Sequence, residues 1–417
     1  MIRYLFVATV LLMLLAPRSS QAQDFRSEDW VYHKDVKSVQ LTIPGLQASF
    51  PIINLGDRLN LDFDILEGNA RYLQYRIEHC DADWTRSDLD ELEYLIGFND
   101  EEIRDHAFSI NTKISYTHYA LQIPNKDANW TKSGNYLLHI YDNDSNEPIL
   151  TRRFMVVENT MKITSRIKKP VDVSKIQTHV EFDFVVNHKG ITLRNPLTEV
   201  QATILQNGRW DNAYTSIPPF IFKSEELVFD YQDKLTFAGG KEFRNVDFRS
   251  LRNTNREILD IDEFSDAWEL KLTLDRKRTY QEYVTTEDLN GMYVIQAYDQ
   301  RYLHLESEYA YLLFSLESSQ EIYDQDVYIT GKFADWHILP ENKMEYDERN
   351  GVYFGELLLK QGVYDYQYVT VPRNKKDTPV DLEGSWHETD NYYTILVYYR
   401  PFGERYDRLA AVANVGY

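Results

Sequence analysis

An all-β protein made of tandem immunoglobulin-like or early-set β-sandwiches is the fold class this sequence predicts, on three observations. Apolar and polar residues alternate with a period of two in stretch after stretch, as in strands with one buried face. Residues that suit a pleated, half-buried surface are plentiful: 31 Tyr, 20 Phe and 7 Trp in 417 residues. Beyond the N-terminal segment no stretch sustains a long helical period, which leaves only short helices, expected near Asp88–Tyr94 and Glu101–His106.

The elements follow in chain order. Arg3 precedes an apolar run from Tyr4 to Leu15, and small residues follow at Ser20 and Ala22. This order predicts a secretory signal peptide over residues 1–22 and a mature, exported chain from Gln23. The run is too short to span a bilayer, which takes about 20 apolar residues. In "LNLDFDI", Leu59, Leu61, Phe63 and Ile65 share one face of a strand, and Asn60, Asp62 and Asp64 the other, which is read as solvated. "SGNYLLHIYDNDSNEPILTRRFMVVE" reads as a hairpin, with strands near 135–141 and 149–157 around an Asn/Asp/Ser turn. "VEFDFVV" repeats the alternation with Val180, Phe182, Phe184 and Val186 inward. The segment Ala238–Ala267 is rich in charge and poor in pattern, so it reads as a long insertion or β-ribbon, a form often used for function. Cuts near Glu158 and Leu316 divide the mature chain into 23–158, 159–316 with the insertion near 238–267, and 317–417.

"RIEHCDADW" holds the single cysteine, Cys80, beside His79, Asp81 and Asp83. One cysteine cannot form an internal disulfide. On a regular strand His79 and Cys80 point to opposite faces and cannot converge on one metal or act as a thiol–base pair. The reading is a strand ending in an Asp-rich turn, with Trp84 folded back over the core. "DNDSNE" lacks the ligand order and terminal Glu of a calcium loop, "AGGKEF" lacks the P-loop frame, and "WHETDN" lacks the second His of a zincin. No G-x-S-x-G elbow occurs. No metal, cofactor or catalytic set is expected. A formal net charge of −21 argues against nucleic acid and against an anionic membrane surface, both of which are met with Lys and Arg.

"VYITGKFADWHILPENKMEYDERNGVYFGELLLKQGVYDYQYV" (Val327–Val369) resembles the early-set β-sandwich modules related to glycogen-binding domains. The resemblance gives Trp336 two readings: an aromatic packed in the core or hairpin, or a platform that stacks on sugar. No second tryptophan follows the strand at Tyr364–Val369; Pro372, Lys375 and Lys376 come instead.

The ordered set "PIINLGDRLNLDFDIL", "YLQYRIEHCDADW", "EYLIGFND", "NTKISYTHYALQIPN", "SGNYLLHIYD", "TRRFMVVE", "FDFVVNHKG", "NPLTEVQATILQNGRWDNA", "ELVFDYQDKLTFAGGKEFRNVDFRSLR", "GVYDYQYV" and "LEGSWHETDNYYTILVYYRPFGERYDRL" covers most of the chain. It resembles the plug-protein family of the Bacteroidetes type IX secretion system. The resemblance implies a non-enzymatic periplasmic protein, on the inner side of the outer membrane, without cofactor, small-molecule ligand or membrane insertion of its own. Its partner would be the large outer-membrane β-barrel translocon, whose periplasmic opening it closes. Trp, Tyr and Arg dominate interface energies, so Trp386, Tyr392, Phe402, Arg405 and Tyr406 near the C-terminus are candidate partner contacts. Tyr392 and Tyr393 should straddle the last strand, one in the core and one solvated. The alternative is an exported carbohydrate-binding sandwich protein that acts on surface glycans through Trp336.

Overall fold

The structure, a computed structural model, describes residues 25–66, 68–232, 234–298 and 300–416. The expected leader, 1–22, lies outside the described residues. Among the described residues all the long elements are strands, and the α-helices are single turns, Glu91–Tyr94, Pro196–Glu199 and Leu303–Glu306. A helix forms inside the first expected span, but the second, near 101–106, is extended as Glu101–Glu102 and Asp105–Phe108. Cross-strand pairing with Leu73–Cys80 and Thr117–Ile123 wins over local preference there.

The strands build three sandwiches. In the first, Val36–Thr42, Leu59–Ile65, Thr117–Ile123 and Asp105–Phe108 form one antiparallel sheet. Leu73–Cys80, Gly134–Asp142 and Pro148–Val157 form the opposing one. The predicted inward residues Leu59, Leu61, Phe63 and Ile65 are fully buried and meet Tyr75, Ile77, Tyr136 and Phe154 from across the core. The "DNDSNE" segment is the hairpin turn, where Asp142 Oδ1 accepts from the backbone N–H of Asp144 and Ser145.

In the middle sandwich, His179–Asn187 pairs with Lys162–Lys168, Glu226–Phe229 and Thr236–Ala238. Val180, Phe182, Phe184 and Val186 face the core, as the alternation requires. The opposing sheet pairs Val200–Gln206 with Tyr392–Tyr399, and that strand with Arg408–Gly416. Arg408–Gly416 also meets the end of Pro148–Val157 through one parallel pair, Val157 with Leu409, so one ten-stranded sheet spans the first and middle sandwiches.

The third sandwich is a nine-stranded sheet folded on itself. Lys343–Asp347 pairs with Gln325–Thr330 on one side and Val352–Lys360 on the other, which turns the corner between its halves. Val246, Tyr364 and Tyr366 from one half meet Leu270, Leu312 and Phe314 from the other.

The cut near 158 falls between the strands Pro148–Val157 and Lys162–Lys168, where the first sandwich ends, but the sheets do not follow the cut near 316. Tyr309–Glu317 pairs residue for residue with Val352–Lys360, so a cut near 316 runs through one sheet. The C-terminal strands belong to the middle sandwich, and the third is inserted between Thr236–Ala238 and Tyr392–Tyr399. Alternation reveals a strand but not its partner, which is why the insertion stayed hidden. The segment 238–267 is likewise no appendage: Val246, Phe248 and Ile258 are core residues of the third sandwich.

Two chain crossings join the middle and third sandwiches, and they are tied side by side. Trp386 N–H donates to Gly240 O (2.8 Å), Gly240 N–H to Ser385 Oγ (3.1 Å), and Asn391 Nδ2 to Gly239 O (2.7 Å). The approach is close enough that a Cβ at Gly239 would lie 1.8 Å from Trp386 O, so only glycine fits.

Asp365 is a buried charge site within the third sandwich. One carboxylate oxygen accepts from Leu289 N–H (2.5 Å) and Gly291 N–H (3.0 Å), and the other has no hydrogen-bond partner among the described residues. Burial, reinforced by the nearby charge of Asp288, pushes its carboxyl up to about 7. The folded state therefore holds the proton more tightly than the unfolded state. Stability from this group is complete below about pH 4 and is lost as pH rises toward 7. Asp365→Asn keeps an acceptor for both amides and cannot ionise. It should match the wild type in urea unfolding at pH 4 and exceed it by roughly 2–4 kcal/mol at pH 8; equal stability at pH 8 would reject the assignment.

Candidate functional site

The strand Leu59–Ile65 turns its even positions away from the first core. Asp64 lies there, yet it is fully buried, because the third sandwich covers it. The solvated reading of Asp64 is thereby overturned; Asp62 beside it stays half-buried. Register places His118 directly opposite Asp64 on the neighbouring strand, and Lys360 directly opposite Tyr309 in the third sandwich. These two cross-strand pairs face each other across the seam.

Asp64 is the hub. Its Oδ2 accepts from Lys360 Nζ (2.6 Å) and Tyr309 OH (2.7 Å), and its Oδ1 from His118 Nδ1 (2.8 Å). Lys360 Nζ also donates to His304 O (2.9 Å) and lies 4.1 Å from the centre of the Tyr116 ring. Tyr116 OH reaches Ser307 O (2.9 Å). A bulge at Ser38, where φ is +53°, aims its hydroxyl at Tyr309 OH (2.8 Å), and Tyr293 OH donates to Val39 O (2.9 Å). Burial pushes the Asp64 carboxyl up, but Lys360 and His118 outweigh it and hold it below the ordinary range, so the group stays ionised.

A second tie lies on the same seam. Lys332 Nζ bridges Asp29 (3.0 Å) and Asp335 (2.9 Å), Arg152 reaches Asp335 (3.1 Å), and His337 Nε2 donates to Asp29 O (2.7 Å). Burial opposes ionisation of Asp29, but Lys332 and Arg152 hold it down to about 2. The "GKFADW" motif thus serves as a clamp between sandwiches. Trp336 is buried at 8 % exposure, beside Phe243, with the Arg209 guanidinium of the middle sandwich 4.3 Å from its ring centre.

The HCDADW turn joins the first sandwich to the middle one. Arg400 binds Asp81 (2.7 Å) and Asp407 (2.8 Å), Ala82 N–H donates to Asp407 (3.0 Å), and Tyr398 OH donates to Asn135 Oδ1 (2.8 Å). His79 and Cys80 point to opposite faces. His79 Nε2 donates to Ser133 O (3.0 Å) and Nδ1 accepts from Ser87 Oγ (2.8 Å). Burial pushes His79 down to about 4 and the Cys80 thiol far up, so both are neutral packing residues. Trp84 is buried against Trp210, with Arg153 over its ring at 4.3 Å.

The five candidate contacts do not form one patch. Tyr406 is buried in the first core with its ring 5.3 Å from His79, so it is removed from the surface set. Arg405 is exposed but tied to Asp88 O (2.8 Å) and to the Glu93 carboxylate. Phe402 is 75 % exposed, with the Arg194 guanidinium 4.6 Å from its ring centre. Trp386 is half-buried under Lys241, and Tyr392 is 38 % exposed while Tyr393 is fully buried. Tyr392 and Phe402 lie at opposite ends of the strand Tyr392–Tyr399, roughly 25 Å apart. In the 238–267 segment, Leu259 and Phe264 are exposed, but the edge strand Ile258–Glu263 carries Asp260, Asp262 and Glu263, which discourage strand addition.

Two groups among the described residues have metal-ligand chemistry: Asp62 with His118 and His304, and Glu181 with Asp183 and Asp230. In the second, Lys168 Nζ already supplies the cation, at 2.6 Å from Asp183 and 3.2 Å from Glu181. Both groups were missed in the sequence because their members are scattered along the chain.

The hub yields a stability prediction. Lys360→Met leaves a buried carboxylate without its cation and should cost about 3–5 kcal/mol, read as a lower urea midpoint. Adding Asp64→Leu should recover a substantial part of that loss, because neither charge then remains. Additive losses in the double variant would contradict the hub.

Residues 36–158 match the family described as type 9 secretion system plug protein, first domain, a span that covers the first sandwich. A crystal structure of a hypothetical protein from Parabacteroides merdae ATCC 43184 is 31% identical, with a TM-score of 0.88, and the match covers 94% of this chain and 100% of that one. The C-terminal domain of the Streptococcus pyogenes antigen I/II-family protein AspA is 8% identical, with 91% of this chain and 99% of that one covered. Its TM-score of 0.17 carries no argument. No curated protein matches the chain. With a first sandwich that matches the family and a relative alike over nearly the whole length, this chain belongs to the type IX secretion system plug protein family.

Proposed function

We propose that the chain is a non-enzymatic periplasmic component of the type IX system that binds the outer-membrane translocon barrel and closes its periplasmic opening. The observation that carries this reading is the charged seam around Asp64 in a chain of this family. A stopper must keep its shape under load, and buried, fully partnered charge between sandwiches resists hinge motion far better than a surface contact. No helix among the described residues is long and apolar enough to cross a membrane, so attachment through a partner suits the chain. The glycan reading has no observation in its favour, since Arg209 and Phe243 cover Trp336.

Of the candidate contacts, Phe402 offers the most surface, and an exposed aromatic beside Arg194 is a suitable interface anchor. Affinity purification of the tagged chain from an outer-membrane extract of a Bacteroidetes cell should recover a very large β-barrel protein. Recovery of no barrel would reject the proposal. Phe402→Ala should lower the yield of that barrel several-fold with an unchanged melting temperature. An unchanged yield would remove Phe402 from the interface and leave the barrel result standing.

A further inference from the structure

We infer that Asp62, His118 and His304 form a divalent transition-metal site of the zinc class that staples the first sandwich to the third. One carboxylate and two imidazoles are a donor set suited to zinc, cobalt, nickel or copper. Asp62 and His118 come from neighbouring strands of the first sandwich, and His304 from the single-turn helix Leu303–Glu306 of the third. One donor atom from each lies within 4.8 Å of the others.

The edge between Asp62 and His118 already has the spacing a metal needs. His118 Nε2 lies 3.4 Å from Asp62 Oδ1. Ligands on a tetrahedral zinc with bonds of 2.0–2.1 Å are about 3.3–3.4 Å apart. His118 Nδ1 donates to Asp64 Oδ1 at 2.8 Å, which turns Nε2 toward Asp62 Oδ1. Without a metal, Nε2 holds a proton toward Asp62; a metal ion displaces that proton and takes its place between the two atoms. The order carboxylate, histidine, metal is also the usual way a second carboxylate fixes a ligating imidazole. Asp64 is itself held by Lys360 and Tyr309, so the His118 ring is oriented before any ion arrives.

The third ligand is mobile by construction. Lys360 Nζ and Tyr116 OH both donate to the backbone carbonyl of His304, so the main chain is fixed. Its ring is exposed, carries no hydrogen bond among the described residues, and stacks on the His118 ring at 4.8 Å and 20°. Two nearly parallel rings cannot both aim a lone pair at one point, so the His304 ring turns about its side-chain bonds as the ion binds. Asp62 and His304 leave the site open to solvent, where water completes the coordination.

The test uses the full mature chain, with any polyhistidine tag removed and metal stripped with chelator. Titration with Co2+ should give one equivalent bound, with the strong visible absorption of four- or five-coordinate cobalt, and Zn2+ should displace it and raise the melting temperature. His304→Ala should weaken Zn2+ by at least about 10–100-fold and leave the metal-free melting temperature unchanged, because its ring is exposed. Asp62→Asn should weaken Zn2+ similarly. No stoichiometric Co2+ or Zn2+ binding, or binding that survives His304→Ala, would overturn the inference, leaving a proton rather than a metal between His118 and Asp62.

Discussion

The carboxylate of Asp64, taken out of water between two sandwiches, is the interaction on which the rest of the structure depends. A buried carboxylate is tolerable only if its charge is matched and its lone pairs are filled. Lys360, Tyr309 and His118 do both, and each is fixed by further partners. If the first and third sandwiches part, this charge loses Lys360 and Tyr309 together. The seam therefore holds in one geometry or opens as a whole, with little room for intermediate angles.

The other two junctions are of different kinds. The first and middle sandwiches share a ten-stranded sheet, so their join is backbone hydrogen bonding plus the Arg400, Asp81 and Asp407 cluster. The middle and third are joined covalently twice, by two crossings tied at Gly239 and Gly240. Three sandwiches joined pairwise close a triangle, and a closed triangle has no hinge about which one corner swings. A linear string of three modules with single linkers would flex by default. The insertion of the third sandwich into the middle one is what makes closure available to the chain.

Much of the architecture was legible because burial of one strand face leaves a period of two. Leu59 to Ile65 and Val180 to Val186 could be placed inward, and His79 and Cys80 apart, from that period alone. Pairing between strands distant in sequence leaves no such trace. The membership of Tyr392–Tyr399 in the middle sandwich and the double crossing at Gly239 were invisible for that reason. The seam was hidden more deeply. Asp64 alternates as a solvent-facing residue should, and only the arrival of Lys360, nearly three hundred residues later, buries it. Trp336 and Tyr406 have the residue types of binding anchors, but Arg209 and His79 already occupy their faces. Residue type suggests an anchor; only burial decides whether it is free to act as one.

The rigidity of the closed triangle is open to direct measurement by pulsed electron paramagnetic resonance between nitroxides. Cysteines in place of Leu92, Val173 and Tyr323, exposed by 85 %, 81 % and 93 %, report on the first, middle and third sandwiches in turn. Cys80 is fully buried and takes no label. Each pair should give one narrow distance distribution. Broad or two-peaked distributions between Leu92 and Tyr323 would show that the third sandwich swings against the first, and the account of a locked body would fail.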